Sequence, residues 1–391
     1  MKIALVTWSY DTVQGISRCV VELARRLAAR HEVHVFASVV EAEPPAGVSA
    51  HRVTLRVRRR YARDWEFFLA AGLRLRRERF DLVHAHCPVW RRADVYTSQG
   101  VPRCALEAVR RLPPEARQDV PFTRLLPLYL QFPLDYHLRD PKTTIVAVSE
   151  RARREVIRAH ARRTEEVRLI PNGVDLERFH PGLARRWRAP VREALGLADD
   201  RLMLLFVGNN PWVKGLRHAL RLIARLPNRY ALVALGPHSS ASVRGLEREA
   251  AELERSGRLR FAGQQVEVQR YYAAADAVIV PSVYESFGLV VLEGMAMGLP
   301  VFTSRAVAAG EELIRDGENG FVVEQPAEVE ETARQITALM ASPERYRRVA
   351  ERARATAEEY SWDRHAARTE ELYRGVLAAR DVAGARERAH A

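Results

Sequence analysis

The feature that most restricts the fold of this chain is an alternation running nearly its whole length: short apolar, β-branched runs, each followed by an amphipathic helical stretch. In the first half the strand candidates are Lys2–Trp8, Glu32–Ala37, Ser49–Leu55, Asp81–His86, Val95–Ser98, Thr144–Val148 and Val167–Ile170, with helices such as Ser17–Ala29 and Glu150–His160 between them. A second series comprises Leu202–Val207, Tyr230–Leu235, Leu259–Ala262, Ala277–Pro281, Pro300–Thr303 and Phe321–Val323. Strand–helix alternation builds parallel sheets with right-handed crossovers. Two series therefore predict an α/β protein of two doubly wound, Rossmann-like domains, a division that suits 391 residues. The break is expected near Pro181–Pro190, which is polar and holds two prolines. That gives an N-terminal domain over 1–185, a C-terminal domain over 186–365 and a terminal helix over 366–391. Ligands of such sheets bind beyond the carboxyl ends of the strands, so two facing sheets predict a site in the cleft between domains.

Several classes are set aside by composition. At 47% hydrophobic residues the chain can bury ample core and is not a disordered sequence. No apolar run approaches the roughly 18 residues of a membrane span; the longest candidate, Leu125–Leu134, is broken by Pro127 and Pro133. Met1–Trp8 is too short and aromatic for a signal peptide and reads as a first strand. Cys19, Cys87 and Cys104 are an odd number without metal-ligand spacing, which predicts reduced thiols, a cytoplasmic protein and no metal. His84 and His86 are expected on opposite sides of their strand, each packed rather than sharing a metal.

The net charge of +13 is unevenly placed. Residues 1–190 hold 35 Arg/Lys against 21 Asp/Glu, whereas residues 191–391 hold 27 against 28. A basic face attracts nucleic acid, an anionic membrane or an acidic glycolipid. A solvated, arginine-rich surface explains the same excess. No nucleic-acid module is recognisable, so no nucleic acid partner is expected. The stretch Arg52–Arg79, with Tyr61, Trp65, Phe67, Phe68 and Leu69, fits a basic amphipathic helix on a membrane surface, or an ordinary exposed crossover helix. Pro121–His137 reads as an acceptor or membrane loop, or as a core helix.

The sharpest local pattern is Pro281 to Gly294. A buried strand over Ala277–Pro281 leads into a turn at Glu285–Gly288, and a helix begins near Leu289. Free backbone N–H groups at that helix start suit a diphosphate. Glu293 lies one turn inside, roughly 6 Å along the axis, about the distance from a pyrophosphate to its ribose. Glu285 precedes the helix and would face the other end of the ligand. A second strand–glycine–helix pattern, Phe206 to Gly215, offers Gly208, Asn209 and Lys214, whose point charge suits a phosphate. A third, Val6 to Ser17, offers Gly15, though a plain β–α turn accounts for it as well.

Together these residues resemble glycosyltransferase family 4, retaining nucleotide-sugar transferases of the GT-B fold, and within it the lipopolysaccharide core type. The resemblance extends to Phe80–His86, Ile170–Asp175 with Phe179 and Pro181, and Tyr360–Trp362. It implies that Glu285 contacts the donor sugar and Glu293 the ribose. By the same resemblance, backbone amides at Phe287, Gly288 and Leu289 hold the diphosphate with Lys214, and Gly15 faces donor and acceptor. The sequence departs from the family pattern at three places: Asn209 stands where arginine is usual, Gln14 where a glycine is usual, and Gln99 where many members have a histidine on the donor sugar.

The expected activity is metal-independent, retaining transfer from a nucleotide-diphosphate sugar, with UDP as the nucleotide, to a hydroxyl acceptor. No separate cofactor is expected. A glycolipid or lipopolysaccharide-type acceptor fits the basic N-terminal domain and a peripheral position on the inner face of the cytoplasmic membrane. An epimerase-like enzyme acting on a nucleotide sugar alone, or a transferase for a small soluble acceptor, are the alternatives.

Overall fold

Among the described residues the N-terminal half holds nine strands: β1 (Lys2–Val6), β2 (Ser9–Tyr10), β3 (Glu32–Ala37), β4 (Val39–Val40), β5 (Val48–Arg52), β6 (Leu82–Ala85), β7 (Val95–Ser98), β8 (Thr144–Ala147) and β9 (Val167–Leu169). Seven of them pair in parallel into one sheet of order β5-β3-β1-β6-β7-β8-β9. β2 and β4 form a separate parallel pair that no sequence period announces, since two residues are too few to show one. The second sheet contains β10 (Leu202–Val207), β11 (Tyr230–Leu235), β12 (Leu259–Gly263), β13 (Ala277–Val280), β14 (Val301–Ser304) and β15 (Phe321–Val323). It is again all parallel, in the order β12-β11-β10-β13-β14-β15. The α/β doubly wound expectation therefore stands for both halves. This computed structural model describes all residues except 58–59, 112–135, 199, 241–242, 244 and 390–391, with the side chains of 60–61, 102, 108 and 383–389 also set aside. The proline-broken stretch Pro121–His137 thus lies outside the described residues, apart from Tyr136 and His137.

The described residues divide into two compact units. One holds those within Met1–Cys104, Thr123–Gly173 and Trp362–Ala391; the other holds those within Ala105–Phe122 and Val174–Ser361. The stretch 181–190 is a 3-10 turn, Pro181–Leu183, running into the helix Ala184–Ala194.

In the first unit the central strands are buried on both faces, as parallel strands covered by crossover helices must be. Helix α1 (Gly15–Leu27) packs Val20, Leu23 and Leu27 against Ile3, Leu5 and Val35. The C-terminal helix Trp362–Ala389 joins this core through Ala366 and Tyr373. Its polar contacts fix the same docking: Arg26 Nε donates to Asp363 at 2.6 Å, and the His365 ring meets the Pro171 carbonyl at 2.8 Å. His84 bridges Tyr373 Oη (2.6 Å) and Thr97 Oγ1 (2.7 Å) beneath it.

One expectation fails here. His84 and His86 do not face opposite sides; their rings lie 4.3 Å apart. Residues two apart in a strand share a face, and His86 continues that alternation just past the end of β6. Among the described residues no group of three or more His, Cys, Asp or Glu is placed to hold a metal ion.

The second unit buries Leu204, Phe206, Leu220, Ile223, Leu232, Ile279 and Phe302 as its core. Among the described residues no helix is long and apolar enough to cross a membrane.

Candidate active site

The order of each sheet reverses once. In the second unit the chain builds β10, β11 and β12 toward one edge, then returns to set β13 on the other side of β10. Open α/β sheets bind ligands at such a switch point, beyond the carboxyl ends of the strands. β10 ends at Val207 and β13 at Val280, so the loops starting at Gly208 and Pro281 run side by side. A 2.9 Å hydrogen bond from the Val283 N–H to the Val213 carbonyl ties them together.

The first loop is folded by Asn210, whose Oδ1 accepts from the Trp212 and Val213 N–H groups at 3.1 and 3.2 Å. Its carbonyl accepts from the Lys214 N–H at 2.9 Å. The Lys214 side chain then passes directly over Gly208: a Cβ on Gly208 would lie 2.6 Å from Lys214 Cγ. Gly215 follows with φ +75° and abuts the Pro281 carbonyl, where any Cβ would collide. Gly208 is therefore required by the route of the lysine, and Gly215 by the close approach of the two loops. Asn209 is exposed on this loop.

The second loop carries Glu285. Its backbone is pinned to the strand-end region after β14, with its N–H donating to the Ala306 carbonyl at 3.0 Å. Its carboxylate takes two partners: Lys214 Nζ at 2.8 Å on Oε2 and the Ser282 hydroxyl at 2.6 Å on Oε1. The helix Leu289–Ala296 starts four residues later, with Gly288 at its N-cap, φ +104°. Phe287 is buried and its carbonyl accepts from the Ala309 N–H at 2.7 Å, which fixes the turn. No side chain caps this helix, and its N-terminus carries the partial positive charge that suits an anion. Glu293 sits inside the helix, 3% exposed, and accepts from the Tyr272 hydroxyl at 2.7 Å.

The structure thus gathers Gly208, Lys214 and Glu285 about one switch point, with Phe287, Gly288, Leu289 and Glu293 following in chain order. Sequence reasoning missed Ser282, Asn210 and Tyr272. Ser282, three residues before Glu285, was open to a turn-based reading; the Tyr272–Glu293 contact spans 21 residues and has no local signal.

In the first unit the order reverses between β1 and β6. Gly15 opens α1 and is exposed. The preceding loop is held by Asp11, whose Oδ1 accepts from the Val13 and Gln14 N–H groups at 2.9 and 2.7 Å. Gln99 follows β7, and its Nε2 is buried without a partner among the described residues. The same holds for Thr7 Oγ1 after β1 and for both ring nitrogens of His86 after β6. Burial pushes His86 down to about 3, and the positive potential of His365 adds to it, so its ring is neutral.

Two family models match the chain. "Glycosyltransferase Family 4" matches residues 13–178, and "Glycosyl transferases group 1" matches 188–356. The chain carries a Glycosyltransferase Family 4 domain followed by a Glycosyl transferases group 1 domain. Family relatives with curated names include D-inositol 3-phosphate glycosyltransferase 2 of Catenulispora acidiphila, 34% identical over 248 residues, or 60% of this chain and 56% of that protein. The glycosyltransferase MJ1607 of Methanocaldococcus jannaschii is 28% identical over 397 residues, covering 96% of this chain and 98% of that one. The chain spans little more than half the length of the inositol-phosphate glycosyltransferases it matches. Among solved structures, WaaG, a glycosyltransferase involved in lipopolysaccharide biosynthesis, superposes with TM-score 0.79 at 20% identity, over 95% of this chain and 99% of that one. Anabaena HepE in complex with UDP-glucose gives 0.65 at 20% identity, over 95% and 100%. These likenesses establish the GT-B fold.

Proposed function

We propose that this chain is a retaining glycosyltransferase that takes a sugar from a UDP-linked donor and passes it to a hydroxyl acceptor of glycolipid or lipopolysaccharide type. The observation that carries the reading is the Lys214–Glu285–Ser282 cluster at the switch point of the second sheet. Nucleotide-sugar binding by a neighbour of the same fold, HepE with UDP-glucose, supports the choice of donor.

Each residue has a role that its position allows. Glu285 accepts hydrogen bonds from hydroxyls of the donor sugar. Its ion pair with Lys214 holds the ammonium where the diphosphate would lie, so little reorganisation is left for the reaction. The N–H groups at Phe287, Gly288 and Leu289 carry the rest of the diphosphate charge. Gly208 leaves room for the Lys214 side chain to cross the loop toward the diphosphate, and the exposed Asn209 binds beside it. Glu293, oriented by Tyr272, accepts from the ribose hydroxyls. In the first unit, Gln99 can donate a hydrogen bond from its Nε2, partnerless among the described residues, but cannot exchange a proton, and Gly15 leaves the start of α1 without a side chain.

The bond from the anomeric carbon to the diphosphate breaks through an oxocarbenium-like state, and the electron pair leaves with the phosphate oxygen. The acceptor oxygen attacks on the same face, and its proton passes to that departing phosphate. Lys214 and the helix-terminal amides stabilise the charge that develops, and no metal is required.

A second reading, transfer to a small soluble acceptor, is favoured by the printed names of the inositol-phosphate relatives. One assay separates the two. The protein is first screened for thermal stabilisation by UDP, GDP and ADP and their sugar conjugates, with and without EDTA. The stabilising donor is then offered with a lipid-linked glycan or with inositol 3-phosphate, and the product anomer is read by NMR. Stabilisation by UDP in EDTA, followed by an anomer-retaining glycolipid product, is expected. No shift with any nucleotide, or an inverted product, would sink the proposal.

A further inference from the structure

We propose that the outward face of helix α2 (Arg60–Leu75) is a docking surface for an anionic lipid bilayer. The inference rests on the glycolipid-acceptor reading for its purpose, while its physical basis is α2 itself.

Eight large apolar side chains are exposed among the described residues, and four fall on one short stretch: Val57, Trp65, Leu69 and Leu73. Trp65, Leu69 and Leu73 are 41%, 51% and 58% exposed. Spaced four apart, they form a single stripe along the helix. This stripe is not the side of α2 that serves the fold. Phe67, Phe68, Ala71 and Leu75 are buried on the other side. That inner side is anchored by the Trp8–Phe67 ring contact at 4.6 Å and by the Trp90 indole N–H donating to the Leu69 carbonyl at 2.9 Å. Tyr136, 37% exposed, packs edge-on against Phe68 and widens the apolar patch.

The charges around the stripe favour one occupant. At about 100° per residue, Arg63 and Arg74 fall along one flank, Arg77 follows in the turn just past the helix end, and all three are exposed. The acidic groups nearby have partners of their own. Glu66 accepts from the backbone N–H groups of Arg56 and Val57 at 2.8 and 2.9 Å, which also holds the exposed Val57 against the helix. Glu78 pairs with Lys2 at 3.1 Å. Residues 51–100 hold 12 basic against 5 acidic side chains. Three longitudinal zones result: a buried face, an exposed apolar stripe and a basic flank. A helix so divided lies in a membrane interface, with its apolar stripe among the acyl chains and its arginines at the anionic headgroups. A neutral bilayer would leave the arginine flank unused.

The test is co-sedimentation of the full chain with vesicles of phosphatidylcholine alone or mixed with phosphatidylglycerol. Leu69→Ser/Leu73→Ser and Arg74→Ser/Arg77→Ser variants are compared, and the UDP thermal shift is measured in parallel. Wild type is expected to pellet with the anionic vesicles and not the neutral ones, and more salt should weaken it. Each double variant should bind at least tenfold more weakly while keeping the wild-type response to UDP. Binding of Leu69→Ser/Leu73→Ser equal to wild type, or no wild-type binding at low salt, would overturn the proposal. So would a switch from dimer to monomer in that variant without vesicles, which would make the face a contact between copies of the chain. Vesicle binding without any UDP response would leave the docking surface standing and remove the transferase reading instead.

Discussion

The Lys214 ammonium lies 2.8 Å from Glu285 Oε2, and the two residues come from different loops, one after β10 and one after β13. The Ser282 hydroxyl holds the other carboxylate oxygen. A cation and a carboxylate are thereby pre-positioned at the carboxyl end of the sheet, next to an uncapped helix N-terminus. A sugar diphosphate has hydroxyls at one end and charge in the middle, and this arrangement offers a partner for each.

Removing the cation should damage chemistry more than folding. Lys214→Ala is expected to lower kcat by about 10²–10³-fold, the usual loss when one charge-stabilising donor is deleted. Glu285→Ala should abolish transfer with little change in Tm. Ser282→Ala should cost roughly tenfold, the scale of one hydrogen bond to a charged group. Steady-state kinetics beside a thermal melt checks all three; near-wild-type turnover in Glu285→Ala would refute its assignment.

Glu293 should act on affinity instead. Glu293→Gln is expected to weaken donor binding by about 10–100-fold, and Tyr272→Phe by less, because the phenol only orients the carboxylate at 2.7 Å. Titration calorimetry with UDP reads both. Equal affinity in wild type and Glu293→Gln would exclude the ribose role.

Gly215→Ala carries a steric prediction. At φ +75°, with the Pro281 carbonyl against its Cα, the residue can take a side chain only if the two loops separate. The left-handed backbone alone costs alanine about 1–2 kcal/mol. Loss of the UDP thermal shift is expected even in a folded variant. A variant that binds UDP as tightly as wild type would show that the loop spacing does not matter.

The buried histidines set the acid limit of stability. Burial holds His86 at about 3, His365, His137 and His218 at about 4, and His84 well below its usual value. Unfolded, each protonates near 6.5. Below that pH the unfolded chain binds more protons than the folded one, so stability is full above about 6.5 and falls as pH drops toward 4. Each group contributes up to about 1.4 kcal/mol per pH unit in that window. Calorimetry should show Tm falling steadily from pH 7 to pH 5, with a flatter slope for His365→Asn. A Tm constant across the window would contradict neutral burial.

Much of this was legible in the sequence. The thirteen strands expected from apolar runs all appear, five with the expected bounds and eight with an end moved by one to three residues, and the strand–glycine–helix pattern marked Glu285, Glu293, Lys214 and Gly208 as candidates. What escaped were contacts between distant segments. The Tyr272 hydroxyl meets Glu293 across 21 residues, and the Tyr373 hydroxyl meets His84 across 289. The shared face of His84 and His86 was legible from strand periodicity but was misread.

The sequence by itself determined the longer strands and the helices between them, because hydrophobic period and glycine position are local properties. It also marked which loops carry the charged groups. Only the tertiary structure decided that β13 returns beside β10, which brings Lys214 to Glu285, and that α2 spends one apolar face on the core and leaves a second outside. Strand order and the burial of one face over another depend on which distant surfaces pack together, and no window of the chain encodes that choice alone.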